Sequence, residues 1–369
     1  MHIRSRPARP SETPRSAALL LVGPRVIEND VVGGTKVSFE SIIENLRLRA
    51  NVGLTVVSTS RPRTRRGRLG RAFLDALALV KTLVRTWRHA ARADLIVWFV
   101  SPRALLLSGG LVWLVCTLRR RRLCIRVCGG SSDVFLCSAP AICRFIAHRT
   151  FLRAELLSET RRSAASLGAF CTARWMPNTR DMPPRRQAYR PSCRRLLFLS
   201  LLQAEKGLPE LLAAAERFPP EVSLSVFGSE MPGFDVADID RAPHTAYRGA
   251  APPGRVPGIL EEHDAIVLPT THALEGYPGV VIEAFQMGLP VIVSRHASLP
   301  ELVTEERDGL FVEPGSVDSL AETVVRLCSD DHLFRRLRAG ALETGELYRT
   351  GRAAAVIEDM CGRAGSASV

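Results

Sequence analysis

Between Thr270 and Val293 the chain reads TTHALEGYPGVVIEAFQMGLPVIV, with two carboxylates, Glu275 and Glu283, separated by seven residues. Gly276, Pro278 and Gly279 make the intervening stretch a turn, and an apolar helical run begins near Val280 and Val281. The first amides of a helix have no intrahelical acceptor and carry the positive end of its dipole, so this start suits a diphosphate. Glu283, in the first turn, is placed to accept hydrogen bonds from ribose hydroxyls, and Glu275, ahead of the turn, from the hydroxyls of a second sugar. The implied ligand is a nucleoside diphosphate bearing a sugar. The plainer reading is one solvent-facing carboxylate and one helix-start charge that complements the dipole.

Such a turn needs a scaffold of strands and helices, and the chain supplies one twice. Apolar runs (LLLVG, LTVVSTS, DLIVWFV, and Leu123 to Val127) alternate with amphipathic stretches from about Val37 to Arg49, from Leu69 to Ala91, around Leu111, and near Ile142 to Arg149. The run Ala154 to Ser158 completes the unit. This rhythm predicts a parallel sheet covered by helices on both faces. Residues 176–195, rich in Pro and Arg with no apolar periodicity, read as a linker. A second unit follows: LLFLSL, a helix over Gly207 to Arg217, SLSVFG, AIVLPT, a helix over Val281 to Met287, PVIVS, and a helix over Val317 to Cys328. The expected order is a flexible basic tail over 1–16, an acceptor domain over 17–175, the linker 176–195, and a donor domain over 196–345. A helical stretch then runs from about Leu333 to Met360, and its last part, 346–369, packs back on the first domain before a short tail. The fold class is α/β, with two Rossmann-like domains facing across a cleft, because ligands of open α/β sheets sit beyond the carboxyl ends of the strands.

Charge is divided between these units. Through Arg195 the chain holds 36 Lys and Arg against 11 Asp and Glu, a net of +25; beyond it 14 stand against 26, a net of −12. A positive field of that size attracts anionic lipid, nucleic acid or phosphorylated substrates, with solubility alone as the plainest account. Arg61 to Arg71 and Arg119 to Arg122 are the strips that would meet an anionic membrane surface. Basic helices alone make no nucleic-acid module and the aromatic signatures of the common ones are missing, so no nucleic acid is expected as partner. The nine cysteines include no repeated C-x-x-C pair, and reduced thiols are the default for such a pattern. The run Ala17 to Val22 is short for a secretory signal, and Ala104 to Leu118, broken by Ser108-Gly109-Gly110, falls short of the roughly 20 residues that span a bilayer. The expectation is a cytoplasmic protein, peripheral at the inner face of the cytoplasmic membrane.

The carboxylate pair resembles the E-x7-E signature of the retaining glycosyltransferases of family GT4, which have the GT-B fold. Further pieces agree in order over nearly the whole chain: Val32-Gly33-Gly34, Arg126 to Asp133 (RVCGGSSD), Met176-Pro177-Asn178, Gln203 to Gly207 (QAEKG), Val226-Phe227-Gly228, Leu299-Pro300-Glu301 and Asp308-Gly309-Leu310. Each alone is ordinary turn chemistry, and the order is what carries the resemblance. The resemblance to bacterial polysaccharide-building and lipid-linked-glycan members implies that Lys206 contacts the donor diphosphate, as a mobile ammonium can. It implies that Gly33 and Gly34 approach the phosphates from the opposite domain, where the absence of Cβ permits close approach. Gly228, Gly276, Gly279, Val280, Val281 and Glu283 complete the donor site, with Glu275 as catalytic residue. Asp133 follows Gly129-Gly130 where the family often presents a polar or acidic group, as a general base or else as a helix cap. At Leu201 the family usually carries a basic residue, so one phosphate clamp is missing there.

The implied activity is hexosyl transfer from a nucleotide-diphosphate sugar to a glycan or lipid-linked acceptor, in cell-surface polysaccharide biosynthesis. No cofactor or metal is expected, since no Asp-x-Asp triplet stands at a strand end and Asp238-Ile239-Asp240 reads as a loop. Two alternatives share the features: a nucleotide-sugar epimerase or other GT-B enzyme, and a basic nucleic-acid- or membrane-binding protein with a degenerate donor site.

Overall fold

The short apolar runs of the first half become parallel strands in the computed structural model of the chain. The structure describes residues 17–26, 33–49, 51–60, 68–130, 133, 145, 149–150, 154–169, 171–230 and 235–366. The basic tail 1–16, most of the Arg61 to Arg71 strip and most of the helix expected near Ile142 to Arg149 lie outside these residues. Strands β1 (Ala17–Gly23), β2 (Val52–Ser58), β3 (Leu95–Val100), β4 (Arg122–Val127), β5 (Ala154–Ser158) and β6 (Ala173–Trp175) form a sheet in the order β2-β1-β3-β4-β5-β6. Helices α1 (Gly34–Arg47), α2 (Arg68–Ala90), α3 (Pro102–Leu118) and α4 (Arg161–Gly168) lie between them in the chain. Every pairing is parallel, and a parallel sheet is covered on both faces by its crossovers. That is why β3, LIVWFV, is apolar and buried at every position instead of alternating. The apolar run Ala104 to Leu118 lies within α3, where Ser101 accepts from Ala104 N at 3.3 Å and Pro102 stands at the first helical position. Among the described residues no helix is long and apolar enough to cross a membrane.

The second sheet joins β7 (Arg195–Leu199), β8 (Ser223–Phe227), β9 (Thr245–Tyr247), β10 (Ala265–Leu268), β11 (Val291–Ser294) and β12 (Gly309–Val312) in the order β12-β11-β10-β7-β8-β9, again parallel throughout. Its helices are α5 (Leu208–Ala215), α6 (Ala237–Arg241), α7 (Val256–Glu262), α8 (Gly279–Gln286), α9 (Leu299–Leu302), α10 (Val317–Ser329) and α11 (Asp331–Leu347). Asp238 and Asp240 therefore lie on a short helix rather than in the expected loop. Ile239 is buried between them, Asp238 pairs with Arg241 at 2.5 Å, and Asp240 accepts from Tyr247 N at 2.9 Å.

The helical stretch expected from Leu333 to Met360 is divided at Tyr348 and Arg349 into α11 and α12 (Thr350–Ser366). Ala353, Ala354, Ile357, Met360 and Cys361 of α12 share one apolar cluster with Leu19, Leu21, Phe39, Ile42 and Phe99 of the first sheet and α1. Full burial of a side chain such as Ile357 or Met360 contributes about 1.5–3 kcal/mol, which fixes the helix against the N-terminal lobe. Asp181 ties the junction, accepting from Asn45 Nδ2 at 2.9 Å and from Thr350 N at 3.1 Å.

Candidate active site

Residues that follow strand ends in both sheets line one cavity of about 840 Å³. From the C-terminal lobe come Ser200 and Leu201 after β7, Lys206, Gly228 and Ser229 after β8, and the loop carrying His272, Glu275, Gly276 and Tyr277 after β10. From the N-terminal lobe come Gly33, Gly34, Cys128 and Gly129, Arg126 on β4, and Glu159 after β5, with Asn178 and Arg180 from the connecting segment.

Two ion pairs face this cavity. Lys206 Nζ lies 2.5 Å from Glu275 Oε2, which also accepts from Thr270 Oγ1 at 2.9 Å. Arg180 Nε lies 2.7 Å from Glu283 Oε1. Both pairs are largely shielded from water, so each charge depends on its partner much more than a surface pair would. Thus each of the two carboxylates is held by a cation, and Arg180 borders the start of α8 at Gly279. There Pro278, at the N-cap, accepts through its carbonyl from Val281 N at 3.1 Å and makes no side-chain cap. The amides of Gly279 and Val280 have no hydrogen-bond partner among the described residues, as the first amides of a helix do without a cap.

The lobes meet beside Glu275. Glu159 accepts from Gly129 N at 3.0 Å within its own lobe and from Tyr277 N at 2.9 Å across the cleft. A Cβ on Gly130 would stand 2.2 Å from Gly276 Cα, so the two main chains touch at glycines where no larger residue fits. Nearby, Glu301 accepts from the amides of Arg161 and Arg162, at 2.7 and 3.3 Å, capping α4 of the opposite lobe. Its Oε2 also accepts from the Tyr277 hydroxyl at 3.0 Å. Burial, and after it the Glu301 carboxylate, push the Tyr277 phenol above its usual range, so it stays a neutral donor in this contact.

Of the residues singled out in the sequence, Gly33, Gly34, Lys206, Gly228, Glu275, Gly276, Gly279, Val280 and Glu283 all line the cavity. Val281 does not: its side chain is fully buried in the core of the C-terminal lobe and its amide is spent on Pro278. Asp133 does not line it either. It is buried with Oδ1 2.6 Å from Ser163 Oγ and Oδ2 3.9 Å from Arg162 Nε, so its carboxylate serves the first turn of α4. Leu201 lines the cavity, 40% exposed, so the position where the resembled family usually carries a basic residue presents an apolar group here. Arg180, Glu159 and His272 were not anticipated. Arg180 stands in a segment crowded with arginines, where composition cannot separate a buried one from solvated ones. Glu159 follows directly on the apolar run of β5, a placement that is a weak signal for a strand-end site residue. His272 Nδ1 lies 2.6 Å from Glu205 Oε2 at the cavity wall.

Two parallel sheets whose strand ends share one cleft, with paired charges at a helix start inside it, define a GT-B protein. Residues 193–330, within the C-terminal lobe, match the family model described as glycosyl transferases group 1. The chain is 32% identical over 96 residues to the amylovoran biosynthesis glycosyltransferase AmsK of Erwinia amylovora, covering 25% of this chain and 24% of that protein. It is 39% identical over 75 residues to UDP-Gal:alpha-D-GlcNAc-diphosphoundecaprenol alpha-1,3-galactosyltransferase of Escherichia coli, covering 20% of this chain and 19% of that protein. The matched stretch thus spans a quarter or less of these curated relatives. The solved structure of Anabaena Alr3699/HepE in complex with UDP has the same fold over both lobes, with a TM-score of 0.71 at 14% identity, covering 94% of this chain and 99% of that one.

Proposed function

We propose that the chain is a retaining glycosyltransferase that moves a hexosyl group from a nucleoside-diphosphate sugar to a glycan or lipid-linked acceptor in bacterial cell-surface polysaccharide biosynthesis. The observation that carries this reading is the pair of cation-neutralised carboxylates, Lys206 with Glu275 and Arg180 with Glu283, flanking the uncapped start of α8 in the interlobe cavity. The donor diphosphate is held by Lys206 and by the amides of Gly279 and Val280, with Gly33 and Gly34 approaching from the other lobe. Glu283 accepts from the ribose hydroxyls and Glu275 from those of the transferred sugar. The bond from the anomeric carbon to the diphosphate oxygen breaks as the bond to the acceptor oxygen forms on the same face, and the acceptor proton passes to the departing phosphate. The charge that develops on that phosphate meets Lys206 and the helix-start amides, so the transfer needs no metal. The match of the C-terminal lobe to glycosyl transferases group 1 supports transfer over epimerisation and over nucleic-acid binding.

The acceptor side of the reading is membrane-borne. Leu77, Val80 and Val84 of α2, and Leu111, Leu114 and Leu118 of α3, are exposed apolar residues at helical spacing on two helices that pack together. Lys81, Arg85 and Arg88 are exposed on the same stretch of α2, and Arg119 to Arg122 follow α3. Apolar residues bordered by cations suit a surface of anionic lipid, where a lipid-linked acceptor is displayed and where the protein sits peripherally at the inner face of the cytoplasmic membrane. Sedimentation with vesicles tests this: binding to anionic vesicles and not to neutral ones is expected, and equal binding to both removes the electrostatic part.

The transfer itself is tested by supplying nucleotide sugars with and without a lipid-diphosphate acceptor. Formation of glycosylated acceptor is expected from the wild type, with loss of product in a folded Glu275→Ala variant. Wild-type turnover by that variant would overturn the assignment of Glu275, and conversion of donor sugar without acceptor would favour epimerisation.

A further inference from the structure

We infer that Arg180 is the second cationic holder of the donor diphosphate, supplying from the connecting segment the charge that Leu201 does not. This rests on the donor reading of the cleft and adds to it a residue that the E-x7-E pattern does not contain.

A guanidinium that is only 2% exposed is rare, because burying a charge is costly unless its donors are satisfied. Arg180 spends Nε on Glu283, and Nη1 on Asn178 Oδ1 at 2.7 Å and on the Thr179 carbonyl at 2.8 Å. Nη2 reaches only the Gly34 carbonyl, at 3.2 Å. A guanidinium carries five N–H groups, so one of those on Nη2 has no partner among the described residues. That end of the side chain lies between two helix starts. It is 3.1 Å from where a Cβ on Gly34, the first residue of α1, would stand, and 2.1 Å from the corresponding position on Gly279, the first residue of α8. Neither helix has a side-chain cap at its start.

A helix start carries a partial positive charge, so the cleft holds a buried cation against two positive helix ends, with Glu283 as its nearest anion. Glu283 offsets the guanidinium, and the partial positive charge of the two helix starts is left to favour an anionic ligand such as a phosphate. A diphosphate drawn into the cleft would meet Lys206 and, through the unpartnered N–H on Nη2, Arg180, so that each phosphate has a charged donor to accept from. Glycine at position 279 follows from the same packing, since a Cβ there would displace the guanidinium, and one at position 34 would crowd it.

Isothermal titration separates this role from a merely structural one. The wild type is titrated with UDP, GDP, ADP and dTDP and with the four matching nucleosides, and so are Arg180→Met and Arg180→Gln; the second keeps polar contacts to Asn178 and Glu283 if the first fails to fold. The expected result is a loss of about 10- to 100-fold in affinity for the preferred nucleoside diphosphate, the range of a charged hydrogen bond, with nucleoside affinity changed by less than about threefold. Equal losses for nucleoside and diphosphate would mean that Arg180 only orients Glu283 toward the ribose, and the inference would fall while the donor reading stood. No change in either would also overturn it. If the wild type bound none of the four diphosphates, the donor reading itself would fail and this inference with it.

Discussion

Lys206, Glu275 and Glu283 bring formal charge to the cleft from the C-terminal lobe, whereas the N-terminal lobe approaches largely with main chain, at Gly33, Gly34 and Gly129. Of its described residues, Arg126 and Glu159 also line the cavity; they stand 4.0 Å apart, and Glu159 is occupied with the amides of Gly129 and Tyr277. The difference teaches a division of labour. On the proposed function, one lobe would hold the charged donor and the other would close over it without adding uncompensated charge. The basic excess lies in the half of the chain that does not carry the carboxylate pair.

Substitutions that move charge in the C-terminal lobe should therefore cost most. Lys206→Met should lower kcat about 100- to 1,000-fold, as loss of a group that stabilises developing negative charge does, with partial recovery in Lys206→Arg. A loss confined to KM would place Lys206 in ground-state binding only. Glu159→Ala, which breaks the contact across the cleft to Tyr277, should cost about tenfold in kcat/KM, the worth of one charged hydrogen bond. An unchanged value would mean that closure does not depend on this contact. Gly34→Ala crowds Arg180 without altering charge and should raise the donor KM about fivefold, equivalent to roughly 1 kcal/mol of overpacking. Asp133→Asn should leave kcat within about threefold, because a carboxylate turned to Ser163 sits outside the reaction; a large loss would return Asp133 to the catalytic set. Smallest of all, EDTA should leave the transfer rate unchanged, and restoration of lost activity by added magnesium would contradict metal-independent transfer.

The two lobes also differ in how far their sequences expose them. The segment around Glu275 and Glu283 is readable because local chemistry determines it: Gly276, Pro278 and Gly279 force a turn, and the apolar run after them forces a buried helix. The long strands β1, β3 and β4 are equally plain as apolar runs. Strands β6 and β9, with three residues each and no fully buried position, give no period to detect. Arg180 differs from Arg185, Arg186 and Arg190 only in where the fold places it, against Glu283, a residue 103 positions away. Glu301 was recognised as part of a turn motif, yet its work as cap of α4 comes from packing between lobes, which no local pattern encodes. For Asp133 the sequence leaves base and cap open, and the fold turns its side chain toward α4 although the nearby Gly129 lines the cavity.

The central claim is that a diphosphate lies at the start of α8 between the two ion pairs. A crystal structure of the chain with the tightest-binding nucleoside diphosphate tests it most directly. The account predicts phosphate oxygens within hydrogen-bonding distance of the Gly279 or Val280 amide and of Lys206, with the ribose against Glu283. A nucleotide bound with its phosphates away from α8, or outside the interlobe cavity, would contradict it.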